Sequence, residues 1–347
     1  MKVAIDISPL KTGHSVRGIG SYTKYLVEEF KKGEFKNIEF KFFESPTPPP
    51  LVDVIHYPYF DLFFHTLPIL KKSSRVVVTI HDVIPLVFPN HFPTGIKGNI
   101  NFFLQKFALN NVDAVICDSK TSKDDIVSKL SIPEEKIHVV YLAPSPVFKK
   151  ISVPKKLSQV VRKYDLPSQF VLYVGDVNWS KNIQNLLEAV NKSEVNLVMV
   201  GQAVADESLA EVREINKLIN KLNIKDKVFR IGYIKDYDLV AIYNLAQVTV
   251  LPSYYEGFGL PVLESMACGT PVVCSNVASL TEVGKNAAIF CDPNDSKDIA
   301  SKISYVLNLD TKSKEKLKNT SLKQASKFNW SKTARNTIEV YKSLHEN

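Results

Sequence analysis

Short runs of β-branched and other apolar residues alternate with longer helical patterns along this chain, and they do so in two successive sets. Parallel strands can be joined only through a crossover, usually a helix, so this alternation demands parallel sheets covered by helices. The first set of strands is expected at residues 3–7, 54–57, 76–80, 114–117 and 138–141. The second begins afresh at 170–174 and continues through 197–200, 228–231, 248–251, 271–274 and 288–290. Residues 143–165, rich in proline and lysine and poor in periodicity, read as a linker. A last helix is expected over 330–344, with Ala334, Ile338, Tyr341 and Leu344 on one stripe and Ser331 as its cap. At 347 residues the chain is long enough for two domains of ordinary size. The expected fold class is therefore α/β, two Rossmann-like doubly wound domains at 1–150 and 151–329, followed by a helix at 330–347.

Doubly wound sheets take ligands beyond the carboxyl ends of their strands, and domain interfaces are favoured ligand sites, so a cleft between the two domains is the expected site. The strongest motif there is P-S-Y-Y-E-G-F-G-L-P-V-L-E, which follows the strand at 248–251. Glu256, Gly257, Phe258, Gly259 and Leu260 read as a loop opening a helix at Pro261, with Glu264 in its first turns. The unpaired N–H groups and positive dipole end of that helix suit phosphate, and glycines let backbone approach a ligand closely. Two carboxylates beside them can accept from hydroxyls. A nucleotide sugar offers both phosphate and hydroxyls.

Three other motifs fall past strand ends. Arg17-Gly18-Ile19-Gly20 opens a helix with Tyr22, Leu26, Val27 and Phe30 on its apolar face, and Gly18 and Gly20 could present backbone donors to phosphate. His81-Asp82 follows 76–80, where an imidazole can meet a substrate hydroxyl, with Asp82 in support. Lys181, in G-D-V-N-W-S-K-N, is an ammonium beyond the first strand of the second domain, suited to a diphosphate. Each has a plainer reading: Glu256 as a loop residue, Glu264 as a solvated helix carboxylate, Lys181 as one surface base of 44, His81 as a buried ring satisfied by Asp82. Gly201 and Gly232 need nothing beyond close backbone packing.

Charge and composition narrow the classes. The formal charge of +8 is uneven: residues 297–347 hold eleven Lys or Arg against five Asp or Glu, and residues 149–163 hold six basic residues and no acid. Such runs attract anionic partners, a membrane surface included, or simply keep the protein soluble. No aromatic-interleaved basic motif points to nucleic acid. The G-x-G-x-x-G turn and following acid of a nicotinamide-dependent enzyme are absent. No apolar stretch approaches a membrane span, the N-terminus reads as a strand and not a leader, and Cys117, Cys268, Cys274 and Cys291 lack metal spacing; reduced, buried thiols in a cytoplasmic protein are expected. The segment from Phe60 to Lys72 could face lipid or an acceptor, and a buried helix with a basic end is the favoured reading.

Taken together, R-G-I-G, H-D, D-S-K-T-S at 118–122, Y-V-G-D-V-N-W-S-K-N at 173–182, E-G-F-G-L-P-V-L-E and the terminal F-N-W-S-K-T-A resemble the retaining group 1 glycosyltransferases of GT-B fold, and within them a mannosyltransferase-like subgroup. The resemblance covers nearly the whole length. It implies that the last helix crosses back to the first domain, that Glu256 contacts the donor sugar and Glu264 the ribose, and that Lys181 with the backbone of Gly18 and of Gly257 to Leu260 holds the diphosphate. His81 would face the reacting sugar. Asp176 and Ser180 stand where relatives carry arginine, so phosphate neutralisation rests mainly on Lys181 and the helix N-terminus. The implied partners are a nucleotide diphosphate sugar, GDP-mannose first, and a saccharide or lipid-linked acceptor; no metal or other cofactor is expected. A sugar-nucleotide epimerase, a phosphorylase and a catalytically silent binding module are the alternatives.

Overall fold

The computed structural model describes residues 1–13, 18–33, 35–45, 47–69 and 74–345. The chain divides into two units, Met1–Ala143 with Phe328–Asn347, and Pro144–Lys327. In the first, strands β1 (Lys2–Asp6), β2 (Glu39–Phe43), β3 (Val54–Tyr57), β4 (Arg75–Thr79), β5 (Ala114–Cys117) and β6 (Ile137–Val139) pair in parallel in the order β2-β1-β3-β4-β5-β6. In the second, β7 (Val171–Val174), β8 (Leu197–Val200), β9 (Val228–Ile231), β10 (Val248–Leu251), β11 (Val272–Ser275) and β12 (Ile289–Cys291) take the parallel order β12-β11-β10-β7-β8-β9. Counted from β7, that is the dinucleotide-fold order 3-2-1-4-5-6, whose direction reverses between β7 and β10. In the first unit the reversal lies between β1 and β3. The interior strands are buried on both faces, which is why they read as continuous apolar runs.

Four sequence expectations are corrected. The edge strand β2 was not anticipated: E-F-K-F-F has no β-branched residue and pairs only with β1. The expected linker contains a helix, Pro154–Tyr164, whose Leu157, Val160, Val161 and Tyr164 pack on the core that includes Val240 and Tyr243. Its other faces are so basic that the single apolar stripe is hard to see in sequence. Residues 60–69 form no helix; Asp61 accepts from the backbone N–H groups of Phe63 and Phe64 in a turn, Phe60, Leu62 and Leu67 are buried, and Phe64 is exposed. Lys71 and Lys72 of that segment, and Arg17 of R-G-I-G, lie outside the described residues. The last helix, Trp330–His345, is capped by Asn329, which accepts from the Lys332 N–H at 2.9 Å, and not by Ser331.

That last helix belongs to the first unit's packing. Trp330 rests on Tyr25 with ring centroids 5.3 Å apart. Tyr341 bonds Nδ1 of His56 at 2.6 Å, and His56 Nε2 bonds Thr79 at 2.8 Å. Burial, with His81 adding to it, lowers the His56 pKa to about 3, so this ring joins sheet to helix as a neutral group. The four cysteines are free and buried.

Candidate functional site

Topology brings Lys181 and Glu256 together. They lie 75 positions apart, but β7 and β10 are hydrogen-bonded neighbours at the point of reversal, so the segments that follow them run side by side. The Lys181 ammonium donates to both Glu256 oxygens, at 2.8 and 2.9 Å, and the Ser253 hydroxyl donates to Oε1 at 2.7 Å. Both side chains are largely buried. The frame around them is tightly tied. Asn182 donates from Nδ2 to the carbonyls of Pro252 and Pro293 at 2.8 and 2.7 Å, the Tyr254 N–H donates to Ser180 O, and Trp179 stacks on Tyr254 at 5.0 Å. Asn182 takes a left-handed conformation, φ 55°, to reverse the chain into the next helix. Sequence reasoning assigned Lys181 and Glu256 to separate ligand groups and missed their pairing; neighbouring strand ends are invisible without the strand order.

Gly259 begins the helix Leu260–Ala267 with φ 100°, a conformation that glycine adopts without cost. A Cβ there would also stand 2.7 Å from Leu280 Cδ2. Gly259→Ala is therefore expected to cost about 1–3 kcal/mol of stability and to displace the helix N-terminus. Unchanged melting and unchanged nucleotide affinity would show that the turn tolerates a side chain. Phe258 is buried, and the Ser279 hydroxyl donates to Glu256 O at 2.7 Å, holding the loop from below. Glu264 sits one turn into the helix, half-buried, where Tyr243 donates to its Oε2 at 2.9 Å. Burial raises its pKa to about 7 despite that hydrogen bond, and Asp236 pushes the same way. Gly201 behaves as expected of a packing glycine, since a Cβ would meet Gly175 O at 2.1 Å.

In the first unit, His81 follows β4 and pairs with Asp118, at the end of neighbouring β5, through Nδ1 at 2.7 Å. Its Nε2 lies 3.3 Å from Pro58 O, the Ser122 hydroxyl donates to its carbonyl, and Tyr22 meets the ring edge-on at 4.9 Å. Burial opposes charge on the ring, but the Asp118 carboxylate outweighs it and holds the His81 pKa above its ordinary value. The direct hydrogen bond is thus made with Asp118, whereas Asp82 accepts from the Ile84 N–H and adds a smaller electrostatic push in the same direction. An aspartate at the end of the adjacent strand was the available signal; only the four-to-five strand pairing makes it meaningful. Gly18 is the exposed first residue of helix Gly18–Lys31 and Gly20 is buried within it, with Tyr22, Leu26, Val27 and Phe30 in the core.

Comparison with known proteins identifies the family and the fold. The family described as "Glycosyl transferases group 1" matches residues 157–324, and "Glycosyltransferase Family 4" matches residues 51–143. The O-antigen chain mannosyltransferase B of Escherichia coli is 31% identical over 82% of this chain and 75% of its own length. The serotype-specific mannosyltransferase WbdA of Escherichia coli is 29% identical over 85% of this chain, which spans only 37% of that longer protein. Anabaena Alr3699/HepE, solved in complex with UDP-glucose, superimposes with a TM-score of 0.74 at 18% identity over the full length of both chains and shares the GT-B fold. Matching a mannosyltransferase at this identity along most of its length, with the group 1 family covering its second unit, the chain belongs to the group 1 glycosyltransferases.

Proposed function

We propose that the protein transfers a hexosyl group, mannose first, from a nucleoside diphosphate sugar to a saccharide or lipid-linked acceptor during surface polysaccharide synthesis, with retention at the anomeric carbon and without a metal ion. The observation that carries this reading is the Lys181–Glu256 pair beside the N-terminus of Leu260–Ala267, at the reversal point of the second unit. The names of the Escherichia coli relatives support mannose and O-antigen chains, and the UDP-glucose bound by the Anabaena protein supports a nucleotide sugar donor.

In the proposed reaction the bond between the anomeric carbon and the diphosphate breaks with its electron pair on the phosphate oxygen. Positive charge grows on the sugar and negative charge on the leaving group. The Lys181 ammonium and the N–H groups opening the Leu260 helix answer the second charge, in a setting with little water to reorganise. Glu256, held by Lys181 and Ser253, accepts from sugar hydroxyls, and Glu264 accepts from the ribose. The acceptor hydroxyl attacks from the face the phosphate leaves, and the phosphate takes its proton. His81, held through Nδ1 by Asp118, meets a sugar hydroxyl through Nε2, which gives up its long 3.3 Å contact with Pro58 O to do so. A lipid-linked acceptor would bring the enzyme to the cytoplasmic face of a membrane as a peripheral protein; no described helix is long and apolar enough to cross one.

The test is release of nucleoside diphosphate from GDP-mannose with and without acceptor. Release only with acceptor is expected, and it should persist in excess EDTA. Isomerisation without acceptor would indicate an epimerase, a requirement for inorganic phosphate a phosphorylase, and no release at all a silent binding module. Loss of transfer in EDTA with recovery on adding Mg²⁺ or Mn²⁺ would overturn the metal-free scheme.

A further inference from the structure

The helix Ile96–Leu109 is apolar on two opposite faces. Gln105, Ala108 and Leu109 are buried, and Phe102 packs on the core of the first sheet. On the other side, Ile96, Ile100, Phe103 and Phe107 follow one another at intervals of four, three and four, and are 83, 57, 72 and 54% exposed. Isolated exposed apolar residues need no explanation. A stripe of four on a helix already committed to a core does, because a helix apolar all round is otherwise found buried. The stripe runs about 16 Å along the helix at 1.5 Å per residue.

Charge indicates what covers it. Lys97 and Lys106 are exposed and fall about a quarter turn to either side of the stripe. Residues 83–112 contain no aspartate or glutamate. An apolar ridge with a lysine on each flank matches a bilayer interface, where the stems lie along the apolar layer and the ammonium groups reach the phosphates. A second copy docking through this face would bring four lysines together with no carboxylate from this segment to offset them.

We propose that Ile96–Leu109 lies in the interface of an anionic lipid bilayer, with Ile96, Ile100, Phe103 and Phe107 among the acyl chains and Lys97 and Lys106 at the headgroups. This deepens the reading of a lipid-linked acceptor and rests on it only for its purpose, since docking is measured without turnover. Flotation of the full chain with phosphatidylcholine vesicles containing phosphatidylglycerol should recover bound protein, and phosphatidylcholine alone much less. Phe103→Ser with Phe107→Ser should cut the bound fraction by about tenfold or more. Lys97→Glu with Lys106→Glu should remove the dependence on phosphatidylglycerol. Lys155→Glu with Lys156→Glu, in the basic helix of the second unit, should change nothing, and circular dichroism should find every variant folded. The proposal is overturned if the unaltered chain does not float with anionic vesicles, if the phenylalanine variant floats as well as it does, or if binding follows Lys155 and Lys156. It is equally overturned if light scattering shows a dimer that the phenylalanine variant dissolves while vesicles capture neither protein. Nucleoside diphosphate release to a water-soluble acceptor, measured on the same samples, reports separately on the transfer reaction.

Discussion

Replacing Lys181 by alanine is expected to weaken nucleoside diphosphate binding by about 1.5–3 kcal/mol, the range for hydrogen bonds to charged groups. The same change should lower stability by about 2 kcal/mol, because it leaves the Glu256 carboxylate largely buried without the ammonium that both its oxygens now accept from. Lys181→Ala combined with Glu256→Gln should recover part of that stability, since the second change removes the uncompensated charge. The cycle should give a coupling energy of about 1–3 kcal/mol, as for residues in direct contact. The ligand effect should not recover. Calorimetry of nucleoside diphosphate binding beside thermal unfolding separates the two: full affinity in Lys181→Ala at reduced stability would make the lysine a structural partner of Glu256 and remove it from the diphosphate.

The Glu264 carboxyl should make nucleotide binding and stability respond to pH in opposite ways. The unfolded chain releases this proton near pH 4.5 and the folded chain only near 7. Between those values the folded state holds the extra proton, so stability falls as pH rises through the window and is level above it. Burial is incomplete, and the expected cost at pH 8 is about 2 kcal/mol after allowing for solvent screening. Glu264→Gln should therefore stabilise the protein by about that amount at pH 8 and not at pH 4, because a glutamine oxygen can still accept from Tyr243. If ribose hydroxyls donate to the ionised carboxylate, nucleotide affinity should rise by up to about tenfold per pH unit below 7 and flatten above it. Glu264→Gln should bind donor and free nucleotide weakly at every pH, whereas Glu256→Gln should lose turnover with less effect on free nucleotide. A pH-independent affinity in the unaltered enzyme, or equal nucleotide losses in the two variants, would refute the assignment.

Much of the site was legible before any coordinates. Glu256 to Glu264 is one contiguous motif, and the turn, the left-handed glycine and the helix start are all local consequences of its residues. The helix Gly18–Lys31 and eleven of the twelve described strands, all but β2, were equally visible, because the apolar period is the signal itself. The helix Ile96–Leu109 was not, since apolar residues on two faces erase that period. Pro154–Tyr164 was hidden by its lysines and β2 by its phenylalanines. The pairings Lys181–Glu256 and His81–Asp118 join residues 75 and 37 positions apart.

The sequence by itself determined the parallel α/β class, the repetition of that class, the glycine-carboxylate motif and the family, because strand period, turn chemistry and motif spacing act over a few residues at a time. Only the tertiary structure decided which carboxylate meets which cation, that Asp118 and not Asp82 makes the hydrogen bond to His81, that burial shifts Glu264, and that four apolar residues of one helix are left uncovered by the rest of the chain. Those follow from strand order and depth of burial, and both are set by which distant segments pack together.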